Sequence, residues 1–135
     1  MRKRAFVMGC LATLLACAHA QGGGNASWVG VWQGEMDGQP GVTLTLAQVT
    51  GALGGTVVLN MVSREGGAPH VIVSEPHVLM HPHLDGNILS FQVIRSKDSK
   101  EMRMEVKFSD DEKAQIRCLN CGSDSPTTAL LRIHP

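Results

Sequence analysis

The amino-acid sequence predicts an all-β fold: a small antiparallel up-and-down barrel of about eight strands, following a cleaved leader. Three observations carry that expectation. Apolar and polar residues alternate with period two in several segments, as they do in half-buried strands. Turn residues (Gly, Asp, Asn, Ser and Pro) separate these segments at short intervals. Past the first twenty residues, no stretch of useful length has a helical period, and no internal repeat is visible.

The leader comes first. Arg2, Lys3 and Arg4 precede an apolar run from Ala5 to Ala16, and Cys17-Ala18-His19-Ala20 follows. A charged start, a short apolar run and small residues at the end make an export signal. The run is too short to span a bilayer as a permanent helix. Residues 1–20 are therefore expected to be a signal peptide. The rest is expected to be extracytoplasmic, in an oxidising compartment: periplasmic, secreted or an outer-membrane lipoprotein. Two processing routes fit. Cleavage after Ala20 follows the A-x-A rule. Alternatively, Leu14-Leu15-Ala16-Cys17 resembles a bacterial lipobox, with Cys17 taking the lipid. Residues 21–26, which open Gln21-Gly22-Gly23-Gly24, read as a flexible spacer. Residues 27–135 read as one barrel domain.

The strands follow in order. Residues 28–36 form the first run, and Asp37-Gly38-Gln39-Pro40-Gly41 turns the chain. Val42, Leu44 and Leu46 then alternate with Thr43 and Thr45. Thr50-Gly51 precedes the run 53–62, and residues 64–70 make the one longer loop before the run 71–80. Asp85-Gly86 is a strong two-residue hairpin signal. Leu89, Phe91 and Val93 alternate with Ser90 and Gln92. Residues 101–109 give the clearest pattern: Met102, Met104, Val106 and Phe108 against Glu101, Arg103, Glu105 and Lys107. Runs at 114–119 and 128–134 complete the set. Closing such a set into a barrel removes its open edges, and an open sheet or a flattened sandwich is the alternative that strand number alone does not decide.

Composition excludes some classes of function. The leader takes three of the 12 basic residues and none of the 12 acidic ones, leaving nine against twelve, a formal charge of −3. With no basic stripe, nucleic acid is not an expected partner. No second apolar run could cross a membrane, so membrane contact is expected only through a lipid anchor. Tyrosine is absent, so stacking platforms for bases or sugars would be sparse.

The first run reads Trp28-Val29-Gly30-Val31-Trp32-Gln33-Gly34. Gly30-x-Trp32 resembles the G-x-W signature of the calycin barrels, which comprise the lipocalins, fatty-acid-binding proteins and avidins. The resemblance implies that Trp32 closes one barrel end and that an arginine of a late strand packs over it. Arg132 stands at the matching place, with Arg117 as a second candidate. The physical sense is a cation–π lid. Residues 27–57 also resemble an avidin-type opening. The Trp and Tyr content of a biotin site is missing, so biotin binding is not implied.

Three groups of residues could carry chemistry. Cys118-Leu119-Asn120-Cys121 is the one close cysteine pair, which in an exported protein reads as a structural disulfide. His77, His81 and His83 share parity, and His81-Pro82-His83 resembles the H-x-H arrangement by which strands offer imidazoles to Zn or Cu. The plainer reading is solvated histidines on an irregular edge, since Pro82 cannot join a ladder. Acidic residues 98, 101 and 110–112 cluster at turns without the spacing of a Ca²⁺ loop. No H-E-x-x-H, G-x-S-x-G or phosphate-binding loop occurs.

The expected function is therefore non-catalytic binding of a small apolar molecule or of a protein partner, with no cofactor. A ligand cavity, if open, would be lined by Trp32, Leu44, Leu89, Phe91, Met104 and Phe108. The alternative is a periplasmic metal-binding protein that uses His77, His81 and His83.

Overall fold

The computed structural model describes residues 28–36, 38–96, 98–123 and 125–135. The signal peptide, Cys17 and the spacer lie outside the described residues. Among the described residues nine strands follow one another: β1 (Gly30–Met36), β2 (Gln39–Val49), β3 (Ala52–Ser63), β4 (His70–Val78), β5 (Met80–Asp85), β6 (Ile88–Ile94), β7 (Glu101–Phe108), β8 (Lys113–Cys118) and β9 (Thr128–Ile133). Among the described residues no helix is long and apolar enough to cross a bilayer.

All strands join one antiparallel sheet in the order β4-β3-β2-β1-β9-β8-β7-β6-β5, curled into a half-barrel. Every ladder but one joins strands adjacent in sequence. The exception pairs β1 with β9, setting Val31, Trp32 and Gln33 opposite Ile133, Arg132 and Leu131.

The fold is the all-β, up-and-down arrangement that the alternation implied, with one departure. The run expected over 71–80 as a single strand ends at Val78, and β5 begins at Met80. The physical reason lies just beyond. His81 takes a φ of 50°, Pro82 has no N–H, and the β5–β6 register shifts between Met80 and His83. The two outer strands of the sheet are thus consecutive in the chain, with Leu79 alone between them. Leu79 is buried, and its N–H donates to the Gly55 carbonyl at 3.1 Å.

Turn chemistry sets the hairpins. Val49 pairs with Ala52, and Thr50 and Gly51 between them both have positive φ, 50° and 79°. Such a mirror-image turn matches the right-handed twist of its strands. Asp85 pairs with Ile88, so the next two-residue turn is Gly86-Asn87, with Gly86 at a φ of 61°. Gly55 answers to close approach: its φ is 148°, and a Cβ there would land on the Thr45 carbonyl oxygen.

Alternation sorts the side chains as the sequence required. In β7, Met104, Val106 and Phe108 are buried while Arg103 and Lys107 are exposed. The inward faces of the other strands add to the same cluster, and no polar residue but His77 is buried among the described residues.

Candidate functional site

One end of the half-barrel is built from aromatic rings. Trp28 stacks on Phe108 with centroids 4.3 Å apart and planes 10° from parallel. Trp32 meets the same ring edge-on at 5.0 Å, and its indole N–H donates to the Trp28 carbonyl at 3.0 Å. Arg132 pairs with Trp32 across the β1–β9 ladder, and its guanidinium carbon lies 4.6 Å from the Trp32 ring centroid. That is cation–π distance. Gly30, at a φ of 142°, leads the chain into β1. Arg117 faces outward instead, bound to Glu105 at 2.9 Å.

The six residues named for a cavity lie in the packed core. Trp32 and Leu44 are 0% exposed, Leu89 and Phe108 1%, Phe91 2% and Met104 7%. Val57, Val93, Val106 and Leu130 beside them are also 0% exposed. Side chains with no exposed surface leave no water-sized gap around them, so this part of the interior is filled.

The three histidines are not brought together. His77 is 8% exposed, and its Nε2 has no hydrogen bond, lying 3.5 Å from a Glu75 carboxylate oxygen. His81 and His83 are exposed on β5. The positive φ at His81 and the register shift beside it break the shared parity. Among the described residues, no three His, Cys, Asp or Glu side chains stand together as a metal set.

Cys118 and Cys121 are disulfide-bonded, their Cα atoms 5.6 Å apart. The loop between them extends the β7–β8 ladder. The Leu119 N–H donates to the Arg103 carbonyl at 2.7 Å. The Asn120 side chain then stands in for backbone, accepting from the Arg103 N–H at 2.8 Å and donating to the Glu101 carbonyl at 2.9 Å. The arrangement is a brace and leaves no free thiol.

The turn after β6 holds the one strongly perturbed carboxylate among the described residues. The Arg95 guanidinium, hydrogen-bonded to Asp98, holds its carboxyl down at about 2, and the Lys100 N–H adds a bond at 3.1 Å. The pair lies at the surface, with both side chains part-covered, and organises a turn.

The outer face carries what sequence reading missed. A hollow of about 560 Å³ runs along β1 and β9, lined by Gln33, Glu35, Met36, residues 126–129, Leu131 and Ile133. Leu131 is 56% exposed, Ile133 45% and Met36 40%. In β9, Leu130 and Arg132 turn inward, so Ala129, Leu131 and Ile133 form an outward apolar row. The signal was present, since residues 129–131 are apolar on both faces of a strand. Thr127 joins this hollow to a polar one of about 420 Å³ flanked by Glu105, Lys107, Gln115 and Arg117.

No known protein family, curated protein or solved structure matches the chain.

Proposed function

We propose that this chain is an exported, non-catalytic β-barrel protein of calycin-like plan that binds a protein partner on its outer surface. The observation that carries the reading is the filled interior. With Trp32, Leu44, Val57, Val93, Val106 and Leu130 fully enclosed, the inward face acts as core and binding falls to the outside. The apolar row of β9, with the charged Glu105–Arg117 surface adjoining it, has the pattern of an apolar centre beside a polar rim. Export rests on the N-terminal sequence. The calycin-like plan is supported by the meander order and by the Arg132–Trp32 contact. A second reading has its own observation: a hollow of about 560 Å³ is large enough for a small apolar molecule.

A photo-crosslinking residue at Leu131, in cells exporting the protein, tests the first reading against the same residue at the exposed Thr45. A discrete protein adduct at Leu131 but not at Thr45 is expected. No adduct, or the same adducts at both, overturns it. Intact mass, native and then denatured, tests the second. Extra native mass lost on denaturation would mean a carried small molecule, and the mass of a single ion would turn attention to His77, His81 and His83.

A further inference from the structure

The sheet ends at β4, and that edge has the features of a surface made for its own copy. β3 loses its β2 ladder after Leu59, and the Asn60 side chain makes a last bond to the Pro40 carbonyl, so residues 61–63 pair with β4 alone. With residues 70–73 they make a two-stranded ribbon running past the rest of the sheet, and such ribbons are marginally stable alone. The ribbon leaves large apolar side chains open: Met61 is 60% exposed, Ile72 53%, and Val71 and Val73 38% each. Among the described residues, the outer edge of β4 has no ladder partner. We propose that this edge pairs antiparallel with the same edge of a second copy of the chain, in a two-fold dimer centred between Ile72 and Val73.

Three features set the partner and the register. The first is a bulge. Met61 pairs with Val73 and Val62 with Val71, so Ile72 is an extra residue on β4. A bulge blunts an edge against foreign strands. Against its own copy, the two extra residues flank the symmetry axis, each opposite the partner's Val73. The second is the placing of side chains. His70 and Glu75 pair with Ser63 and Leu59, which share one face of β3, so the bulge puts His70 and Glu75 on one face where a regular strand would separate them. Val71 and Ser74, paired with Val62 and Asn60, share the other. Residues opposed across an antiparallel pair must lie on the same face, and the proposed register meets this condition. It sets His70 opposite the partner's Glu75, twice per dimer, and Val71 opposite the partner's Ser74.

The third feature is the length of the edge. Pro69 and Pro76 stand opposite one another at the two ends of this register, and neither has an N–H to donate. The prolines thus frame residues 70–75, all of which carry an N–H, and a copy of the same edge matches that length. The other outer strand offers no such run, because His81 and Pro82 interrupt β5. The proposal is independent of the groove on β1 and β9.

Sedimentation velocity on the exported chain over a wide concentration range tests it. A reversible monomer–dimer equilibrium with no larger species is expected, because an isologous contact closes on itself. His70→Glu sets carboxylate against carboxylate and should weaken the dimer roughly tenfold. Pairing it with Glu75→Lys sets opposite charges across the seam and should recover the affinity. Ile72→Lys, at an exposed position, puts two cations at the axis and should abolish the dimer. This variant keeps the test open should the double variant fold poorly. A monomer at every concentration, a dimer indifferent to His70→Glu and Ile72→Lys, or growth into larger species would each overturn the proposal.

Discussion

Two arginines compared residue by residue show why position decides what a charge does. Arg132 lies half-buried over the fully buried Trp32 ring, while Arg117 forms an exposed pair with Glu105. A desolvated cation–π contact is worth about 1–2 kcal/mol, and an exposed ion pair about 0–1 kcal/mol. Arg132→Ala should therefore lower the urea midpoint and shift the tryptophan emission. Arg117→Ala should leave the emission unchanged and the midpoint nearly so. Equal effects from the two would remove the special role of Arg132. Asp98 gives a test by titration. Its folded-state pKa is lowered from 3.8 to about 2 because Arg95 hydrogen-bonds the carboxylate. A lowered pKa favours the folded state above 3.8, and that contribution is lost as pH falls through about 2. A carboxyl-carbon NMR titration should find the low value in the native chain and a clearly higher one in Arg95→Gln, where only Lys100 still lowers it. The low value surviving that change would assign it to another cause.

Single strands were legible where side chains had to choose a face. Residues 101–108 announced β7 because burying Met104, Val106 and Phe108 requires period two and leaves Arg103 and Lys107 in water. Breaks inside an apolar run were not legible. The division at Leu79 depends on a positive φ at His81, and the bulge at Ile72 on a register set by β3. Pro82 marked an irregular edge in the sequence, but not that the strand would divide at Leu79, and the bulge at Ile72 leaves no mark in composition. The outward row of β9 was in plain view as an apolar run, but a run apolar on both faces does not say which face stays open. Two element-level tests follow. Replacing Cys118 and Cys121 together with Ser should cost about 2 kcal/mol in a urea melt, the loop-closure value for so short a loop. An unchanged midpoint would mean that Asn120 alone holds the loop against β7. Gly55→Ala should cost more than about 1 kcal/mol, since the new methyl meets the Thr45 carbonyl and the positive φ is lost to alanine.

At the scale of the whole molecule, the filled core separates architecture from function. A strand pattern reports which side chains are inside, and it does not report whether they leave room among themselves. That is why the sequence could offer a cavity lined by Trp32, Leu44 and Phe108 where the packed side chains close together. The same topology has a kinetic side. Each ladder except β1–β9 is a hairpin or a short-range neighbour, able to zip locally as soon as its turn forms. Joining Trp32 to Arg132 instead requires closing almost the whole described chain into one loop, and slow steps are set by such distant pairings. The folding transition state should therefore be governed by the arrival of β9 at β1. Conservative substitutions at Leu130 should slow folding, whereas those at Val57 in the β2–β3 hairpin should mainly speed unfolding. A permuted chain that joins β9 to β1 and opens at Leu79 would turn every ladder into a neighbour contact, and should fold markedly faster than the natural order.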